Sequence, residues 1–270
     1  MKKIFLILSI LALLFLNACA DSENDSAKTA NSNDTHTNSS GENTNANEET
    51  KYVFLVDNAD KNTISIQIPL VKDGSEQQLN FIVNTIKEKL KSFSGEDFDL
   101  TVSETDITNK NDIDNENLSG YYIVAQSEIS YESEDMVSMI FEAHFNKSGT
   151  AHPTDWFFAI NYNPKTLENI AFSDNYSVDE GLYNVFAQHA EKALLESFDG
   201  EWPDGWDSFS EMLCSKDSFL QGMKTEKEFA YYYTNEGVGI SYPINHALGD
   251  HKEVVIPFAD LATWSKKDAQ

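Results

Sequence analysis

The chain has 270 residues, 45 of them acidic and 19 basic, a formal net charge of -26. That field repels phosphate backbones, so nucleic-acid binding is excluded as a function class. Every basic residue is lysine, so no guanidinium fork exists to grip an anionic substrate in bidentate fashion. The two cysteines, Cys19 and Cys214, rule out a disulfide framework.

Lys2 and Lys3 precede an apolar run from Ile4 to Leu16. As a helix it covers only about 20 Å, too short for a hydrocarbon core of about 30 Å. A basic start and a short apolar stretch are the pattern of a secretory signal, here residues 1–18. The run ends Leu16-Asn17-Ala18-Cys19, which resembles the lipobox of bacterial lipoproteins. The resemblance implies cleavage before Cys19, diacylglycerol on its thiol and anchorage to the extracytoplasmic face of the bacterial cell membrane. Multiple acyl chains make such anchorage stable. Residues 20–50 are polar and acidic, without Val, Ile, Leu or an aromatic residue, and so have nothing to offset the entropy of ordering. The reading is a flexible tether, with a root-mean-square span on the order of 30 Å.

Apolar patterning begins at Tyr52. Ile64, Ile66 and Ile68 alternate as in a strand that stops at Pro69. Leu79, Ile82, Val83, Ile86, Leu90 and Phe93 form one stripe of an amphipathic helix over 76–93, with Gly95 as its stop. A short strand over 98–102 and a polar stretch over 104–119 follow, and the latter divides a smaller N-terminal α+β subdomain (51–118) from a C-terminal α+β domain (119–264). Tyr121 to Tyr131 and Met136 to Phe145 read as an antiparallel hairpin turning at 132–135. Trp156 to Tyr162 adds a strand, broken by Asn163-Pro164. Ser177 and Glu180 have capping-box spacing ahead of a helix whose stripe is Leu182, Val185, Phe186, Ala190, Ala193 and Leu194. Short strands are predicted over 229–233, 238–242 and 254–258. Locally pairing strands imply the α+β class: an antiparallel sheet with two main helices packed on it.

No nucleophile elbow, phosphate loop or paired-histidine zinc helix occurs, so the chain is read as non-enzymatic, without a metal or cofactor. His36 falls in the tether, His144 on the solvent side of its strand and His189 at a core edge. His152, in the turn Ala151-His152-Pro153, and His246 with Asp250, in Asn245 to His251, are the candidate ligand- or partner-binding residues. They are polar recognition points or, if convergent, a metal site. Trp202 and Trp206 lie in an acidic loop over 199–207, suited to stacking on a sugar ring or a protein. That loop lacks the spacing of an EF-hand. Cys214 reads as a small buried apolar residue.

The segment Ser119 to Leu167, with Ala151-His152-Pro153 and Asn161-Tyr162-Asn163-Pro164, resembles the extracytoplasmic domain shared by the lysozyme-sensing anti-sigma-V factor and the N-terminal part of some peptidoglycan deacetylases, the RsiV-like domain. Phe229 to Ile240, His246 to Asp250 and Ile256 to Leu261 are similar to its closing strands, and Ile64 to Leu90 to the smaller domain that often precedes it. The sequence shows neither a sigma-binding segment nor a deacetylase module, so neither mechanism carries over. What the resemblance implies is a binding surface for a wall-associated partner, a cationic lysozyme-like protein or peptidoglycan. The alternatives are a metal-dependent envelope hydrolase using His152 and His246, or a structural envelope component.

Overall fold

The computed structural model describes residues 51–57, 62–106, 120–202, 215–225 and 228–266. All of them belong to one unit, Glu48–Gln270. The signal segment, Cys19, the tether, Trp206 and Cys214 lie outside the described residues.

Strands β1 (Tyr52–Asp57) and β2 (Thr63–Pro69) pair antiparallel, and the alternation of Ile64, Ile66 and Ile68 turns all three side chains inward. Helix α1 (Glu76–Ser94) starts where the Ser75 hydroxyl accepts from the Gln78 N–H and the Gln78 side chain accepts from the Ser75 N–H. This reciprocal cap satisfies two otherwise orphaned donors. The helix stops at Gly95, whose φ of 76° suits a residue without Cβ. Strand β3 (Leu100–Ser103) returns to pair with β1. The chain then forms β4 (Tyr121–Glu132), β5 (Val137–Lys147), β6 (Thr154–Asn163) and the two-residue β7 (Glu168–Asn169). Together these make one seven-stranded sheet in the order β3-β1-β2-β4-β5-β6-β7.

That sheet is mixed, which corrects the expectation of an antiparallel one. β2 and β4 run parallel, with Ile64 opposite Ile123 and Ile66 opposite Ala125. The physical reason is the crossover: α1 and β3 intervene between β2 and β4, and a long connection is what parallel neighbours require. The same pairing joins residues 51–106 to residues 120–169 in a single sheet.

α1 covers one face through Ile82, Val83, Ile86 and Leu90, packed with Phe141, Phe158 and Tyr162. A second core lies around α3 (Glu180–Ser197), α4 (Lys216–Thr225) and a three-stranded antiparallel sheet of β8 (Ala230–Tyr233), β9 (Gly237–Pro243) and β10 (His251–Pro257). α2 (Phe172–Asn175) and α5 (Phe258–Leu261) are single turns beside it. α3 begins at Asp179 instead of Ser177: the Asp179 carboxylate accepts from the Leu182 N–H and from the Trp264 indole N–H. Those donors hold its carboxyl below the usual range, the Leu182 N–H being the larger cause. α4 escaped the sequence reading because ten residues with only Phe219, Leu220 and Met223 facing the core make a faint stripe.

The two sheets meet at an edge. Asn161 Nδ2 donates to the Tyr231 carbonyl at 2.7 Å, and the Tyr233 N–H donates to Ser138 Oγ at 3.0 Å. Ser138 Oγ in turn donates to Asn161 Oδ1 at 2.7 Å. Two buried polar side chains on β5 and β6 thus satisfy the outer rim of β8. Within the small sheet, Gly239 makes room for its cross-strand neighbour, since a Cβ there would stand 2.1 Å from the Tyr232 ring.

Burial raises the hydroxyl pKa of Tyr162 to about 12, with Glu132 adding to it. It raises Tyr232 to about 12 as well, assisted by Glu253, Glu128 and Glu142. Both phenols therefore stay neutral in the folded state after an unfolded chain begins to ionise near pH 10. The unfolded state then binds fewer protons, so stability is full below about pH 10 and falls as pH rises toward about 12. A pH titration followed by circular dichroism and tyrosinate absorbance is expected to show these two phenols ionising only with unfolding. Smooth ionisation of every tyrosine near its free value, with the fold intact, would contradict it.

Candidate functional site

The β5–β6 turn and the β9–β10 loop converge at one end of the large sheet. Asn245 shapes the second loop: its side chain accepts from the Ala247 N–H and starts a 3-10 turn over His246–Leu248. Gly249 at φ 113° and Asp250 at φ 67° then reverse the chain into β10. A positive φ is costly for most residues, and aspartate is among the few that tolerate it.

Asp250 ties the two loops together. Its Oδ1 lies 2.5 Å from His246 Nδ1, and its Oδ2 accepts from the Asp155 backbone N–H at 2.8 Å. Asp155 spends its own carboxylate on His144 Nδ1, at 2.9 Å. His144 and Asp155 are direct cross-strand partners in the β5–β6 register. The His152 ring stands 5.9 Å from that of His246, tilted by 42°. His251 Nδ1 meets Glu253 Oε1 at 2.6 Å, with its ring 5.6 Å from Phe157. Because an ionised carboxylate only accepts, Nδ1 of His144, His246 and His251 carries the proton in each pair. The Nε2 of His246 is left for solvent or a partner, and its side chain is 54 % exposed against 16 % for Asp250.

His152, His246 and Asp250, singled out from sequence, are brought together here. Trp202 is not placed with them by any bond: it sits just past α3, half-buried against that helix's core. His189, at the core edge as expected, is paired with Asp260 at 2.9 Å. The sequence reading treated His144 as merely solvent-facing and missed its partner, although the hairpin register carries that information. It also gave no role to the His251–Glu253 pair, whose period-2 spacing puts both side chains on one face of a strand. Among the described residues, no three His, Cys, Asp or Glu side chains are grouped to hold a metal ion. The imidazoles of the cluster can each offer a hydrogen-bond donor or acceptor according to protonation.

Asp250→Ala is expected to lower stability by about 1–2 kcal/mol, because the bonds to His246 and from the Asp155 N–H are lost and alanine tolerates the φ of 67° poorly. Asp250→Asn, which keeps an acceptor for that N–H, is expected to cost less than half as much. Urea unfolding of the three proteins checks the order, and equal costs for Ala and Asn would refute the bridging role.

No family model matches the chain, and no curated protein matches it. Among solved structures it is similar to a DUF3298 family protein from Pseudomonas aeruginosa, at 15% sequence identity, over 82% of this chain and 94% of that one, with a TM-score of 0.48. It is also similar to a DUF3298 family member from Bacteroides fragilis, at 13% identity, over 76% of this chain and 85% of that one, with a TM-score of 0.41. Both of these solved structures are of DUF3298 family proteins.

Proposed function

We propose that this is a non-enzymatic lipoprotein of the bacterial cell envelope, held by lipid on Cys19 and binding a cationic, wall-associated protein of the lysozyme type. The observation that carries the reading is the charge: 45 acidic residues against 19 lysines. Such a surface accelerates encounter with a basic partner and weakens contact with anionic polymers. The lipobox and the polar tether support a position outside the membrane, within reach of the wall. The exposed His246 and His152 side chains offer hydrogen-bonding points at the rim of the fold.

The glycan version, through Trp202 and Trp206, is less favoured because Trp202 spends part of its indole on the α3 core. The hydrolase alternative draws on the proximity of His152 and His246. It predicts stoichiometric metal on purification and loss of function in His152→Ala and His246→Ala.

The test is binding of a strongly basic lysozyme to the full-length lipoprotein in detergent. The association rate is expected to fall at least about tenfold when salt shortens the Debye length from about 10 Å to about 3 Å. Muramidase activity should fall in parallel with complex formation. Absence of binding at low salt, with salt-independent retention on purified peptidoglycan, would replace this reading by the glycan one. Failure of palmitate labelling at Cys19 would remove the anchor.

A further inference from the structure

Among the described residues the large sheet has an open edge. β7 pairs only with Tyr162 and Asn163 of β6, and no other described strand pairs with the remainder of β6 on its outer side. Two bonds show which residues face outward: the Asp155 N–H donates to Asp250 Oδ2, and the Asn161 carbonyl accepts from the Ile170 N–H. Backbone direction alternates along a strand, so Phe157 and Ala159, between those two, also aim their N–H and C=O groups outward. No bond to any of these four groups is made among the described residues. The residues are only 7% and 6% exposed, and buried backbone groups are rarely left unpaired.

This edge is the floor of a groove. Two adjoining hollows, of about 320 and 360 Å³, run along β6 and share Lys89 and Ser92 of α1 as one wall. The start of β8 supplies the other, with Ala230 in the first hollow and Tyr231 in the second. The rim carries Glu88, Asp155, Glu228 and Asp250 against Lys89 as the one ammonium among its described residues.

From these observations we propose that the β6 edge takes up an extended, lysine- or arginine-bearing peptide segment as an additional strand. The main chain of the segment would bond Phe157 and Ala159, its alternate side chains would face α1 and β8, and its cationic groups would meet the acidic rim. Strand addition of this kind draws affinity from backbone bonds and specificity from flanking pockets. A second copy of this chain is a poor occupant, because edge-to-edge pairing would bring two acidic rims together. The inference rests on the function proposed above only for the charge of the partner.

The experiment uses the full-length lipoprotein in phosphatidylcholine nanodiscs and a capped peptide of about seven alternating Lys and Val residues, long enough to span the open edge. Amide hydrogen exchange at Phe157 and Ala159 is expected to slow at least about tenfold on binding, as new ladder bonds form. N-methylation of alternate peptide residues on the face toward β6 is expected to abolish both the protection and the binding, and a Glu–Val peptide to bind at least about tenfold more weakly. Ala159→Pro should act in the same way, since it deletes an outward N–H and leaves the ladder to β5 intact. If that variant does not fold, the N-methylated peptide decides the question on the native protein. Equal binding of the N-methylated peptide, or binding without protection at Phe157 and Ala159, overturns strand addition. Lysozyme captured undiminished while the peptide fails would sink this proposal alone. Peptide addition with no lysozyme binding would sink the partner named above and leave the edge site standing.

Discussion

Phe186→Ala is expected to destabilise the fold by about 3–5 kcal/mol, the range for emptying a buried aromatic site. Phe186 is fully buried on α3 and sits at the junction of the second core. It stacks on Phe219 of α4 with ring centroids 4.5 Å apart and meets the edge of Tyr242 of β9 at 5.3 Å. The same ring also lies within 6.4 Å of Phe229. One side chain therefore links helix α4 and the small sheet to α3. Denaturant unfolding measures the loss directly. Val185→Ala, one residue earlier but only partly buried, is expected to cost well under half as much. Similar costs for the two would mean that the second core does not close around Phe186.

Asn161→Ala is expected to cost about 2–3 kcal/mol for a different reason, because it strands buried polar groups. The amide of Asn161 satisfies the Tyr231 carbonyl and receives the Ser138 hydroxyl, while that hydroxyl accepts the Tyr233 N–H. Removing Asn161 takes one donor from the Tyr231 carbonyl and one acceptor from Ser138, and all three residues are at most 6% exposed. Ser138→Ala breaks the same network at its other node. The double variant is expected to cost less than the sum of the two, as residues sharing one network do. Additive costs would show that the two side chains act independently of one another.

Apolar periodicity makes the large elements legible in the sequence itself. The stripe Ile82, Ile86, Leu90 and its Gly95 stop became α1, and Val137, Met139, Phe141 and Ala143 became the inward face of β5. These signals depend on neighbours three, four or two positions away, so a linear reading captures them. The parallel pairing of β2 with β4 was not legible, since an alternating strand looks the same whichever neighbour it takes. Asn161 and Ser138 read as ordinary polar residues because their burial exists only once β8 lies across them.

The candidate site divides in the same way. Loop-borne His152, His246 and Asp250 were visible as residues that a strand pattern does not need, but nothing in a sequence separation of roughly a hundred residues says that their rings meet. Chain composition alone settled the acidic character and the absence of guanidinium groups, because charge is a sum over residues and needs no geometry. The Asp250 bridge and the open edge of β6 were decided by tertiary structure, because each arises where segments distant in sequence are packed side by side or fail to be.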